Sequence, residues 1–463
     1  MFSNILNNKF ALLNFFTLLW LNTLYAQTPV DIVSLYRITL NIDGNYLKSP
    51  YYSNYSLGDN NNDVNRAVVV IHGTNRNADD YYERILNPAK NANGADKTTI
   101  IIAPQFLIEI DIEAHNLPNN ILFWSSGGWK RGDRSLNTNK NPRPVRISSF
   151  AVIDTILHRL AMRNPNLQTI VVAGHSAGGQ FVNRFAAGSQ MEQTLSAQFG
   201  IQFRYIVANP SSYLYFNEER RVEGTVDQFA VPTATGCQWT YDEYKYGLDN
   251  LNSYMSNVGV TQIRTQYQQR EIVYLLGEDD NNPNHSSLDK SCPAMLQGMH
   301  RLERGIIYYK YLAYYFGAQI HNQQYQAIIP NVGHSSSDIF ASDCGMYFLF
   351  DYGSCNSVTF VEDSKIINIP KKFILNQNYP NPFNPITTIE FNLPTALPVY
   401  LRIYDVTGKL VKSLSQGQIW NAGFHSVSWD GTNENGSKVG SGIYFYRINT
   451  QKHQESKRMI LLE

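Results

Sequence analysis

Six short runs of apolar, mostly β-branched residues set the limits on what this chain can fold into. They are Ala67-Val68-Val69-Val70-Ile71, Thr99-Ile100-Ile101-Ile102-Ala103, Thr169-Ile170-Val171-Val172-Ala173, Tyr205-Ile206-Val207-Ala208, Ile272-Val273-Tyr274-Leu275-Leu276 and Tyr325-Gln326-Ala327-Ile328-Ile329. Continuous apolar character without polar alternation requires strands covered on both faces, as in a parallel sheet. Between them Ile147, Phe150, Ile153, Leu157 and Leu160 recur at helical spacing, and Pro165 closes that segment. Strand and helix alternating in this way predict a doubly wound α/β domain with a mostly parallel sheet.

The chain has 463 residues, 43% of them apolar and 16% charged, enough for a large core and a second, smaller unit. Lys plus Arg and Asp plus Glu both number 38, so neither a nucleic-acid partner nor an anionic membrane is indicated. After Val361 the texture changes. Tyr379-Pro380-Asn381-Pro382-Phe383-Asn384-Pro385 is too proline-dense for a helix interior or a central strand. Beyond it Thr388–Leu393, Val399–Tyr404 and Ile443–Ile448 alternate in strand fashion, separated by turn signals such as Asp430-Gly431 and Asn435-Gly436. This pattern predicts a small all-β immunoglobulin-like sandwich.

At the N-terminus, Lys9 is followed by the apolar run Phe10–Leu21 and then Tyr25-Ala26-Gln27. The run is short and Asn-interrupted, which fits a signal peptide ending near Ala26 better than a membrane span. The expected division is therefore a signal peptide at 1–26, the α/β domain at 27–365, a Pro/Asn-rich linker at 366–386 and the sandwich at 387–463. Exported cysteines are expected to pair. Cys237, Cys292, Cys344 and Cys355 permit three connectivities, of which Cys237–Cys292 with Cys344–Cys355 is preferred, and their spacing matches no zinc pattern.

The chemistry-bearing motif is Gly174-His175-Ser176-Ala177-Gly178, directly after the third apolar run and before an amphipathic stretch holding Phe181, Val182 and Phe185. A strand-to-helix turn at this point strains the serine backbone, aims its hydroxyl outward and needs small neighbours. Serine requires a base, and the base an acid. Gly277-Glu278-Asp279-Asp280, at the end of the fifth run, offers the acid: Asp280 is preferred because Gly-x-x-Asp leaves room for the turn, with Asp279 as the alternative. His334 in Asn331-Val332-Gly333-His334, after the sixth run, is the expected base. Backbone N–H groups of Ala177 and Thr74 are the expected oxyanion donors, the latter from the His72-Gly73-Thr74-Asn75 loop, with the Asn75 amide as the alternative to Thr74 and a plain strand-exit turn the other reading of that loop. His175, His72, Asn75, Trp124 and Trp129 are candidates for the substrate cleft, with core packing the preferred role for the two tryptophans taken singly, and Asn209–Tyr213 is a further candidate wall. His285, His300 and His321 are expected at the surface or in a supporting shell.

From about residue 65 to 345, the elbow, the His-Gly loop, Gly-x-x-Asp and Gly-His, in the order Ser176, Asp280, His334, resemble the α/β-hydrolase superfamily. Ala177 departs from the Met common in polyester hydrolases and cutinase-like enzymes. The resemblance implies acyl transfer to water on a small-molecule or polymeric ester, without a cofactor. A peptidase on the same scaffold and a non-catalytic surface binding protein remain open. More specifically, the last part of the chain resembles the type A C-terminal sorting domain of the type IX secretion system. The matching residues are Asn376–Pro385, Ile403-Tyr404-Asp405-Val406-Thr407-Gly408, Trp429-Asp430-Gly431, Gly440–Tyr446 and Lys457-Arg458-Met459. That family implies a Bacteroidota-type bacterium, an outer-membrane translocon as partner, and a protein released or attached to the cell surface.

Overall fold

The six apolar runs form the parallel centre of a nine-stranded sheet. The computed structural model describes residues 28–232, 237, 240–356, 358–359, 373–394, 397–420 and 423–462. The expected signal peptide lies outside them, as do residues 366–372 of the expected linker. The sheet strands are β1 (Arg37–Ile42), β2 (Asn45–Ser53), β3 (Arg66–Ile71), β4 (Thr99–Pro104), β5 (Thr169–His175), β6 (Gln202–Ala208), β7 (Ile272–Gly277), β8 (Gln324–Ile329) and β9 (Val358–Thr359). Their spatial order is β1-β2-β4-β3-β5-β6-β7-β8-β9, with all pairs from β4 to β8 parallel. Pairs β1–β2, β2–β4 and β8–β9 are antiparallel. This is the α/β-hydrolase layout, and the direction of winding reverses between β3 and β5, where crevices open at the carboxyl ends of such sheets.

Successive side chains of the central strands feed two separate cores. Val68 and Val70 pack on one face with Tyr81, Ile85 and Ala89 of helix α1 (Ala78–Asn91). Ala67, Val69 and Ile71 pack on the other with helices α2 (Ser149–Arg163) and α3 (Ala177–Gly188), including Phe150, Ile153, Phe181 and Phe185. Each strand aliphatic so buried contributes roughly 1.5–3 kcal/mol. Helix α2 starts where Ser148 caps it by accepting a hydrogen bond from the Phe150 N–H.

The hairpin β1–β2 is not among the six apolar runs. Its Ile38, Leu40 and Leu47 are buried while Thr39 and Asn41 face outward, the alternation of a strand with one wet face.

The C-terminal unit is a sandwich. A three-stranded sheet, β10 (Ile374–Leu375), β11 (Thr387–Leu393) and β14 (Gly423–Trp429), faces a four-stranded one in the order β13-β12-β15-β16. The latter comprises β12 (Leu397–Asp405), β13 (Leu410–Trp420), β15 (Gly442–Asn449) and β16 (Gln454–Leu461). Ile389, Phe391 and Leu393 meet Leu401, Ile403, Tyr446 and Ile448 between the sheets.

The proline-dense stretch, expected as linker, is hydrogen-bonded to this unit. The Asn378 N–H donates to the Tyr446 hydroxyl (2.9 Å), Asn378 Nδ2 to Thr387 Oγ1 (2.8 Å), and the Phe383 N–H to the Ile460 carbonyl (3.0 Å). Prolines lack a donor, so the flanking Asn and Phe residues supply the hydrogen bonds that fix the segment. Two disulfides join Cys237 to Cys292 and Cys344 to Cys355, with Cα separations of 5.9 and 4.3 Å.

Candidate active site

At the end of β5 the backbone of Ser176 turns to φ 59° and ψ −117°, a conformation an L-residue adopts only when its surroundings impose it. The surroundings are close backbone contacts. A β-carbon on Gly174 would lie 2.3 Å from the Gly178 carbonyl oxygen. The Ser176 N–H is held by the Ala208 carbonyl of β6 at 2.9 Å, and α3 begins at the next residue. The turn leaves the serine hydroxyl facing the cleft and the Ala177 N–H in the first turn of a helix, where no intrahelical acceptor exists.

His334 reaches Ser176 from the loop after β8. Its Nε2 lies 3.0 Å from Ser176 Oγ and its Nδ1 2.7 Å from Asp280 Oδ2. A carboxylate at Nδ1 requires the proton there, which leaves the Nε2 lone pair for the serine O–H. The loops carrying Asp280 and His334 interlock at Gly277, where a β-carbon would lie 2.4 Å from the Val332 carbonyl oxygen. Asp280 is 3% exposed, whereas Asp279 points to solvent. Burial pushes the Asp280 carboxyl up, but the hydrogen bond from His334, that residue's charge and Arg301 together bring it below the ordinary value.

The His72-Gly73-Thr74 loop is oriented from beneath. His72 Nε2 accepts the Phe106 N–H (3.0 Å), so Nδ1 carries the proton and donates to the Gly73 carbonyl at 2.8 Å. In a trans peptide the C=O and the following N–H point in opposite directions, so the Thr74 N–H is turned away from His72. Burial lowers the His72 pKa to about 4, keeping the ring neutral for this role.

Other expected cleft residues divide. His175 and Asn75 line the cleft, His175 being held by the Tyr81 hydroxyl (3.2 Å) and Asn209 Nδ2 (3.4 Å). Burial, followed by His334 and Arg301, drives its pKa well down. His72 itself is fully buried and lies behind the loop. Trp124 and Trp129 are core residues, 0% and 1% exposed, packed about Phe106, Trp124 edge-on and Trp129 stacked, with Trp129 also tilted against His72. Asn209, Ser211, Ser212 and Tyr213 are likewise buried beneath the site.

His285 and Arg301 take places that only the fold reveals, His285 having been expected at the surface or in a supporting shell. His285 lines the cleft with its ring 5.3 Å from that of His334. Arg301 lies 3.3 Å from the second oxygen of Asp280. Neither sits near a strand end in sequence, which was the signal available. The cleft encloses about 520 Å³ and is lined by Thr74, Asn75, Tyr81, His285, Ser287 and other polar groups. Among the described residues no Leu, Ile, Val, Met or Phe side chain lines it.

The sequence pattern of the FlgD Ig-like domain family matches residues 385–454. No curated protein sequence matches the chain significantly. Among solved structures the chain is similar to the LpqC poly(3-hydroxybutyrate) depolymerase of Bordetella parapertussis, at 20% identity and a TM-score of 0.43, covering 69% of this chain and 91% of that one. It is similar to poly(aspartic acid) hydrolase-1 of Sphingomonas sp. KT-1 at 22% identity and a TM-score of 0.41, covering 70% and 99%. PorZ of Porphyromonas gingivalis, a surface component of the type-IX secretion system, is similar at 21% identity and a TM-score of 0.15 over 22% of this chain and 13% of that one.

Proposed function

We propose that the protein is a secreted serine hydrolase that cleaves an ester through an acyl-enzyme. The observation that carries this reading is the linked geometry of Ser176 Oγ, His334 and Asp280, at 3.0 and 2.7 Å, on a serine held at positive φ. As Ser176 Oγ attacks the acyl carbon, His334 Nε2 takes its proton and Asp280 holds the imidazolium. The carbonyl oxygen becomes an oxyanion facing the N–H groups of Ala177 and Thr74. The tetrahedral species collapses as His334 returns the proton to the departing alcohol oxygen. Water, deprotonated by the same histidine, then releases the acid and restores Ser176.

A cleft without aliphatic lining favours short or polar acyl groups over long alkyl chains. Export is supported by the N-terminal apolar run and the two disulfides. The sorting-domain motifs Asn376–Pro385 and Gly440–Tyr446 favour an outer-membrane translocon as partner, with release or surface attachment as the end point.

Fluorophosphonate labelling tests the nucleophile: wild type labels at Ser176 and Ser176→Ala does not. An unlabelled wild type, or a labelled Ser176→Ala, overturns the reading. A panel of p-nitrophenyl esters of graded chain length, run beside peptide substrates, tests the class. Cleavage of peptides alone would make it a peptidase.

A further inference from the structure

Arg301 opens helix α4 (Arg301–Phe316) and is 1% exposed. A buried guanidinium persists only where its donors are matched, and here they reach three separate parts of the site. Nη1 donates to Asp280 Oδ1 (3.3 Å), Nε to Ser211 Oγ (3.2 Å) and Nη2 to Ser287 Oγ (3.0 Å). The next residue continues the hold, since the Leu302 N–H donates to the Asp280 carbonyl at 3.2 Å. Asp280 is therefore gripped through Oδ1 and its backbone while Oδ2 serves His334.

The Ser287 end fixes the cleft wall. Ser287 Oγ lies 3.1 Å from His285 Nδ1, and the Ser287 N–H donates to the same atom at 3.2 Å. The His285 ring stands at 66° to that of His334. One side chain thus links the acid, the loop after β6 and the wall beside the base.

We propose that Arg301 is a positioning residue that locks Asp280 toward His334, extends activity to lower pH and holds the 285–287 wall for substrate. The inference rests on the serine-hydrolase reading above. Electrostatically, a carboxylate shared with a permanent cation is a weaker base, and it holds a protonated imidazole less tightly. The groups facing the Asp280–His334 pair are Arg301, His175, His285, His300 and Tyr213, with Arg84 and Lys290 further out. Burial lowers the pKa of all three of these histidines and raises that of the tyrosine, so Arg301 is the permanent positive charge in contact with the acid.

The test is the pH profile of kcat/KM for wild type, Arg301→Gln and Arg301→Lys on one ester substrate. Arg301→Gln is expected to move the acid limb up by about one pH unit and to raise KM about fivefold. Arg301→Lys keeps a cation but not the three-armed fork, so the limb returns toward wild type while KM stays raised. An unmoved limb in Arg301→Gln overturns the inference, as does a wild-type KM in Arg301→Lys should the glutamine variant fail to fold. Ser176 labelling of wild type runs alongside: no label sinks the hydrolase reading itself, whereas normal labelling with an unmoved limb sinks only the role of Arg301.

Discussion

A β-carbon at Gly178 would stand 2.0 Å from the carbonyl oxygen of Ile71, the last residue of β3. The helix that follows Ser176 therefore touches the backbone of the neighbouring strand and of His72, where a β-carbon on Gly178 would lie 2.8 Å from the carbonyl oxygen. The proposed nucleophile and the proposed oxyanion loop are set against one another by this steric contact.

Gly178→Ala should consequently damage the site and the fold together. Overpacking ordinarily costs about 1–3 kcal/mol, and here the obstacle is backbone, which cannot rotate away. A drop in thermal midpoint with loss of Ser176 labelling is expected. A variant with wild-type stability and labelling rate would show that α3 can shift without consequence.

Asp280 is proposed as the acid by its position. Asp280 is buried against His334 while Asp279 is exposed. Asp280→Asn should lower kcat by about 10³–10⁴-fold, because an amide cannot enforce the productive tautomer. Asp279→Asn should leave steady-state kinetics within about twofold. The reverse pattern would move the acid to Asp279.

His72 never reaches the cleft, yet its hydrogen bond to the Gly73 carbonyl aims the Thr74 N–H. His72→Leu should lower kcat by about 10²-fold with little change in KM, the signature of a donor that matters chiefly in the transition state. A change confined to KM would argue that the loop only binds substrate.

The sandwich meets the α/β domain through a buried charge cluster. Arg221 Nη1 lies 2.9 Å from Glu303 Oε1, and Nη2 lies 4.0 Å from Glu390 Oε1 on β11. Burial, then the proximity of Glu303, pushes the Glu390 carboxyl well above its ordinary value, against the pull of Arg221. A raised value in the docked state means docking is fully supported below the ordinary glutamate range and weakens as pH rises through the raised one. Protease susceptibility between the two domains should increase with pH, and Glu390→Gln should abolish that dependence. A flat profile in wild type would rule the cluster out as a titrating contact.

Removing the disulfides one at a time should separate their contributions. Loop-closure entropy assigns about 4 kcal/mol to Cys237–Cys292, whose partners are 55 residues apart, and about 3 kcal/mol to Cys344–Cys355, 11 apart. Paired Cys→Ala variants followed by denaturant unfolding measure both. A larger loss for the shorter loop would point to local packing over chain entropy.

What the sequence determined by itself was local. The six apolar runs announce covered strands because a parallel sheet allows no wet face, and Gly174–Gly178 announces the elbow because strand, turn and helix are contiguous. The order Ser176, Asp280, His334 follows from where those strands end. The structure brings these three side chains within hydrogen-bonding distance. The tertiary structure decided everything that depends on what packs against what. It buried Trp124 and Trp129, placed His72 behind the oxyanion loop, set His285 against His334 and brought Arg301 to Asp280 from the start of a helix 21 residues further on. It also folded the proline stretch onto the sandwich. The physical reason is the same throughout. Periodicity and turn chemistry act over a few residues and can be read in order, whereas burial and ion pairing join positions that only the closed fold makes neighbours.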